Sequence, residues 1–260
     1  MIAAVLQVYR LAKRYGEVWA IRDVSLRLEA GSTLVLLGQN GAGKTTALRC
    51  LSGLLLPTSG RVLVGGKDSR LEPDAVREQI GLVPEVPGLY DRMPARSYLD
   101  FFGRVYGLDP CTRARRIERL LELFDLAEAG DRWLGSFSKG MRQKVALIRA
   151  TLHRPPLVLA DEPTSALDPD SAHVAWRYLE ELRAEGAALV VCTHNMAEAQ
   201  QLAGEIGIMS AGRLLAVGEL PELVRAAGLK KHREVVERPT LEEVYLAIVG
   251  NGVEHEARPA

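Results

Sequence analysis

Cysteine is scarce: Cys50, Cys111 and Cys192 are the only three, odd in number and far apart. That excludes a disulfide framework, offers no metal-ligand spacing and points to a reducing compartment. Cys192 adjoins the Thr193-His194 pair but reads as a small buried residue. Neither sign of charge dominates: 33 basic residues face 33 acidic ones. A nucleic-acid partner is therefore not expected. No apolar run approaches the roughly 18 residues of a membrane-spanning helix. Arg10, Lys13 and Arg14 follow the apolar start without a cleavage pattern, so no signal peptide is expected. The expected setting is cytoplasmic, with a membrane reached only through a partner. Internal repeats, low-complexity tracts and heptad runs are also missing.

Against these absences stands Gly38-Gln39-Asn40-Gly41-Ala42-Gly43-Lys44-Thr45, a complete G-x-x-x-x-G-K-[ST] phosphate loop continued by Thr46. Its glycines let the backbone curl until successive N–H groups converge on one spot. Lys44 adds a positive charge there, and the Thr45 hydroxyl can hold Mg²⁺. Ser32 to Leu37 is a short apolar run, as in a buried parallel strand. After the loop, Ala47, Leu48, Leu51 and Leu55 recur at helical spacing. A helix opening near Gly43 aims its positive dipole end at the same spot. Strand, glycine loop and helix in this order predict a nucleoside triphosphate site.

Along the chain, Val24, Leu26 and Leu28 alternate with Ser25, Arg27 and Glu29, the pattern of a half-exposed strand. Further strands are predicted at 61–64, 80–83, 157–160, 188–192, 206–209 and 214–217. From about 87 to 154 helical periodicity takes over, with stripes at Ile117, Leu120, Leu121 and Phe124 and at Met141, Val145, Ile148 and Leu152. Arg113, Arg115, Arg116 and Arg119 are expected on a solvated face. Alternating strands and helices imply α/β architecture, a parallel sheet covered on both faces. A main domain over 1–225 is expected, with a tail over 226–260. In the tail, Thr240-Leu241-Glu242-Glu243 reads as a capping box opening a helix over about 240–249. Val244, Tyr245 and Ile248 would share one side of it.

A phosphate loop needs a second metal ligand and a group that handles water. The run Leu157-Val158-Leu159-Ala160-Asp161-Glu162 delivers Asp161 at the end of a strand, where open α/β sheets bind ligands. Asp161 would complete the Mg²⁺ shell beside Thr45. Glu162 would orient or deprotonate the attacking water. His194, at the end of another strand, could donate to the γ-phosphate.

With these residues in this order, the chain resembles the ATP-binding subunits of ABC transporters, from about Leu6 to Val217. Gly38–Thr46 looks like the Walker A motif, Leu157–Glu162 like Walker B, Ser165–Asp168 like the D-loop and His194 like the switch histidine. The resemblance implies a P-loop NTPase fold: a RecA-like parallel sheet flanked by helices, an N-terminal antiparallel β subdomain and a helical subdomain insert. It implies ATP and Mg²⁺ as ligands, Tyr15 as the adenine-stacking aromatic, and Glu162, His194 and Lys44 as catalytic residues. Phe137-Ser138-Lys139-Gly140-Met141 matches the family's signature stretch. Ser138, Gly140 and Asp168 would then serve the nucleotide of a second subunit, so that two chains close over two ATP molecules.

Two positions depart from the family pattern. Glu85 replaces the Q-loop glutamine, adding a carboxylate near the metal where an amide could also donate. Lys139 replaces a glycine of the signature. These features, with the 239–250 stretch, resemble the exporter branch, whose separate permease moves drugs, ions, lipids or polysaccharides. The implied partners are that permease and a second nucleotide-binding subunit, identical or paired, held on the cytoplasmic face of the cell membrane. Two alternatives stay open: a soluble ABC-type ATPase acting on ribosomes or DNA, and a weakly hydrolysing regulatory subunit.

Overall fold

The computed structural model describes residues 4–202, 204–228 and 241–254. In chain order it contains β1 (Ala4–Tyr15), β2 (Val18–Glu29), β3 (Thr33–Leu37), α1 (Lys44–Leu51), β4 (Ser59–Val64), β5 (Lys67–Asp68), α2 (Pro73–Arg77) and β6 (Ile80–Val83). Then follow α3 (Ala95–Val105), α4 (Pro110–Leu123), α5 (Lys139–Thr151), β7 (Leu157–Asp161), α6 (Pro169–Ala184), β8 (Ala188–Thr193) and α7 (Met196–Gln201). The chain closes with β9 (Glu205–Ser210), β10 (Arg213–Gly218), α8 (Leu220–Ala226) and α9 (Leu241–Glu254). The expected capping box lies outside the described residues, because Thr240 is not among them.

Two sheets carry the fold. The six-stranded sheet has the order β10-β9-β3-β8-β7-β6 and is parallel except for β10. The four-stranded sheet, β2-β1-β4-β5, is antiparallel, a kind of sheet that can leave one face in solvent and so suits the alternation in β2. The central strands are buried on both faces, and side-chain alternation sends each face to a different core. Leu34 and Leu36 of β3 join Leu157 and Leu159 of β7 under α1 and the antiparallel sheet. Val35, Leu37, Val158 and Ala160 face the helices on the other side. Helix α9 joins that second core through Leu241, Val244 and Tyr245.

Two expectations need correction. Helix α1 ends at Leu51, short of Leu55: Gly53 takes φ +69°, and the Leu55 N–H turns back to the Arg49 carbonyl at 2.9 Å. Leu55 still packs on the core from the turn, so the apolar spacing was real while the helix was not. The arginines of α4 do not share one solvated face. Arg113 is mostly buried and reaches Asp100 at 2.5 Å and the Leu108 carbonyl at 2.9 Å. Arg116 donates to the Leu152 carbonyl at 2.9 Å. A guanidinium satisfies free carbonyls at helix ends well, and helical periodicity gives no sign of such partners.

Just past α5, His153 lies flat on Tyr106, with ring centroids 3.7 Å apart and planes within 2°. Burial pushes its pKa down to about 4, only partly opposed by the Ile80 backbone. The unfolded chain, with an ordinary histidine, binds the extra proton first. Stability should therefore be complete above about pH 6.5 and fall between about 6.5 and 4, by at most about 3 kcal/mol. Urea midpoints measured across this range should show the loss in the wild-type chain and a much smaller one in His153→Gln.

Candidate active site

The parallel register brings four strand ends to one edge. Leu37 pairs with Thr193, Asp161 with Cys192 and Ala160 with Val83. The turns leaving these strands therefore meet at a single place: the phosphate loop after β3, His194 after β8, Glu162 after β7 and Glu85 after β6. A cavity of about 220 Å³ there is lined by the loop, Glu85, Asp161, Glu162, Ser165 and His194.

The loop needs glycine at two places for different reasons. Gly43, the residue before α1, takes φ +102°, and a side chain there would strike the Ala20 carbonyl. At Gly38 a Cβ would press on the Met209 carbonyl. Lys44 opens α1 and is 6% exposed. Its ammonium donates to the Gly38 carbonyl at 2.5 Å and the Gln39 carbonyl at 3.2 Å. Gln39, Asn40, Gly41, Thr45 and Thr46 line the cavity with it, while Ala42 is buried in the core under the antiparallel sheet.

Glu162 has the least ordinary backbone of the site. It takes φ +47°, a left-handed conformation that costs a non-glycine residue about 1–3 kcal/mol. The turn is held by its N–H on the Cys192 carbonyl at 2.9 Å and by Ser165 donating to its own carbonyl at 3.1 Å. The result aims a buried carboxylate at His194, with Oε1 2.7 Å from Nδ1. A carboxylate oxygen accepts, so the proton of this bond belongs on Nδ1.

Asp161 is buried beside this pair. Burial raises its pKa, the Thr45 hydroxyl bonded to it and Lys44 oppose the rise, and Glu85 and Glu162 add to it. Three carboxylates around one ammonium leave an excess of negative charge. A carboxylate–hydroxyl pair within such a field fits a divalent cation that keeps several non-protein oxygens. Glu85 itself is exposed at the mouth. The neighbouring Cys192 thiol is pushed well up by burial and is inert.

The remaining expected site residues stand elsewhere. Tyr15 faces Val18 at the tip of the β1–β2 hairpin, is 48% exposed and does not line the cavity. Its ring lies 5.3 Å from the Lys13 ammonium. Ser138 caps α5, its Oγ accepting from the Met141 N–H at 3.2 Å. Gly140 lies against the Ala166 carbonyl, which a side chain would crowd. Asp168 caps α6, and its bonds to Ser171 hold its pKa low. Ser138, Lys139 and Asp168 are all exposed, and none lines the cavity over the chain's own loop.

Sequence reasoning missed two contributors. Glu198 of α7 accepts from Thr164 at 2.6 Å and from Thr193 at 2.9 Å, tying the turns after β7 and β8 together. A lone glutamate on a short helix carried no signal of that. Tyr245 was legible only as an apolar helix position, yet its hydroxyl meets the phosphate loop.

Strand, glycine loop and helix at the carboxyl edge of a parallel sheet, with a carboxylate pair on a neighbouring strand, define a P-loop nucleoside triphosphatase. The chain belongs more narrowly to the ABC transporter family, whose profile matches residues 21–165. It is 42% identical over 207 residues to the ABC transporter ATP-binding protein NatA of Bacillus subtilis (strain 168), covering 79% of this chain and 84% of that one. It is 35% identical over 223 residues to the Nod factor export ATP-binding protein I of Cupriavidus metallidurans, covering 86% and 74%. Its fold matches a dimeric post-hydrolysis state of the ATP-binding cassette MJ0796 bound to ADP and Pi. The TM-score is 0.76 at 26% identity, with coverage of 83% of this chain and 98% of that one.

Proposed function

We propose that this chain is the ATP-hydrolysing subunit of an ABC-type exporter and supplies one half of a two-nucleotide sandwich. The Glu162–His194 pair, set beside Lys44 on one cavity, carries the hydrolytic part of this reading. Lys44 and the N–H groups of residues 38–46 grip the phosphates, and Tyr15 at the hairpin tip stacks on the base. Thr45 and Asp161 would hold Mg²⁺, with Glu85 beside them, and the ion when bound would offset the charge developing on the phosphates. Glu162 orients the attacking water and draws off its proton. His194 steadies that carboxylate through Nδ1–H and, when doubly protonated, donates from Nε2 to the γ-phosphate.

The exposure of Ser138 and Asp168 away from the chain's own cavity supports their service, with Gly140 beside Ser138, to a second subunit, as does the dimeric cassette among the matched structures. Ser138 would bring the N-terminus of α5 to that subunit's phosphate. The export relative supports the direction of transport. No helix among the described residues is long and apolar enough to cross a membrane, and in this reading the pore belongs to a permease. Val86, which follows Glu85 in the chain, and Tyr90, Phe101 and Val105 expose apolar surface, with the Tyr90 and Phe101 ring centroids 6.5 Å apart. This surface suits a permease that holds the chain on the cytoplasmic face of the membrane.

The test is ATP turnover by the chain alone and in proteoliposomes with the membrane protein encoded beside it. Stimulated turnover with both present is expected. Co-purification with ribosomes or DNA, and no response to any membrane protein, would replace this reading by the soluble alternative. A second measurement concerns Glu85. Glu85→Gln removes one carboxylate from the metal's surroundings, so the half-saturating Mg²⁺ concentration for turnover should rise by about 3–10-fold. An unchanged Mg²⁺ titration would take Glu85 out of the metal site.

A further inference from the structure

Helix α9 reaches the phosphate loop through one polar atom. Tyr245 is 4% exposed, and its hydroxyl accepts from the Gln39 N–H at 3.3 Å. That N–H belongs to the peptide unit whose oxygen is the Gly38 carbonyl. The Gly38 carbonyl accepts from the Lys44 ammonium at 2.5 Å. A single planar peptide therefore carries Lys44 on one edge and Tyr245 on the other. Turning the plane changes both contacts at once. Beside it lies a space of about 320 Å³, lined in part by Asn40, His194, Met196, Tyr245 and Leu246. Helix α9 thus forms one wall of a space that the phosphate loop and the histidine turn also line. Its anchor is firm, since Leu241 and Val244 are fully buried in the core that also holds Leu37.

Resting on the triphosphate reading of this site, we propose that Tyr245 is a positioning residue for nucleotide binding. Its hydroxyl fixes the Gly38–Gln39 peptide, and through it the Lys44 ammonium, so that docking of α9 and occupancy of the loop are linked. Lys44 must leave its own carbonyls to reach a phosphate. The loop keeps its shape during that exchange only if the peptide is held from outside, and Tyr245 supplies that hold. A preorganised loop binds more tightly than one that must be ordered by its ligand. The linkage is reciprocal: nucleotide in the loop must steady α9 by the same factor that α9 contributes to nucleotide affinity.

The experiment uses the full chain with Mg²⁺ and the non-hydrolysable analogue adenylyl imidodiphosphate. Tyr245→Phe keeps the ring and removes the acceptor, so the Kd should rise by about 2–10-fold while the ligand-free thermal midpoint barely moves. Hydrogen exchange adds a readout that simple packing would not move. The analogue should slow exchange of the α9 amides in the wild-type chain, and slow it less in Tyr245→Phe. Equal affinity of the two proteins, or equal slowing in both, would overturn the inference. So would a loss confined to Tyr245→Ala and accompanied by a lower thermal midpoint, since that marks a packing role only. A wild-type chain that binds no analogue would instead overturn the triphosphate reading itself.

Discussion

Glu162→Gln will lower ATP turnover by about 10²–10⁴-fold while nucleotide binding persists. The substitution keeps the shape of a side chain that is 7% exposed, so the fold should tolerate it. It removes the negative oxygen now 2.7 Å from His194 Nδ1 and replaces it with a group that cannot take a proton from water. It also takes one negative charge away from the buried Asp161, whose pKa is raised mainly by burial. The chain would close over ATP and stay closed, accumulating as a dimer in ATP and Mg²⁺. Single-turnover hydrolysis and size-exclusion chromatography measure the two parts separately. Ordinary turnover in this variant would remove Glu162 from the mechanism.

Lys44→Ala will act on the other side of the site, through affinity. Lys44 is the cation closest to where the phosphates must lie, and charge-assisted bonds of this kind are worth about 1.5–3 kcal/mol. Its loss should weaken ATP binding by about 10–100-fold. Equilibrium titration with Mg²⁺-ATP checks this. Retained affinity would contradict the role given to the loop. Because the ammonium also ties down the Gly38 and Gln39 carbonyls, the empty variant should show faster hydrogen exchange over residues 38–45.

Much of this protein was legible before any coordinate. The phosphate loop, the acidic end of β7 and the histidine after β8 are local patterns, each carried by a few consecutive residues. The central strands were equally clear, because a strand buried on both faces is a nearly continuous apolar run, as β3, β7 and β8 are. Helix ends were less clear. The apolar spacing that runs to Leu55 cannot report the left-handed glycine that stops α1 at Leu51. Nor can periodicity separate a solvated arginine from one such as Arg113, whose partners lie on another segment.

The proposed chemistry was therefore written in short stretches of chain: a triphosphate grip, oxygens for a metal and a base for water. Their arrangement was decided only by the packed sheet. The parallel register placed four strand ends on one edge and brought Glu162, through a strained turn, against His194. Packing in the second core carried Tyr245 to Gln39 across most of the chain's length. The physical reason is range. Backbone conformation and side-chain type act over a few residues and can be read locally. Hydrogen bonds between distant segments depend on how whole layers settle on each other, which no local pattern encodes.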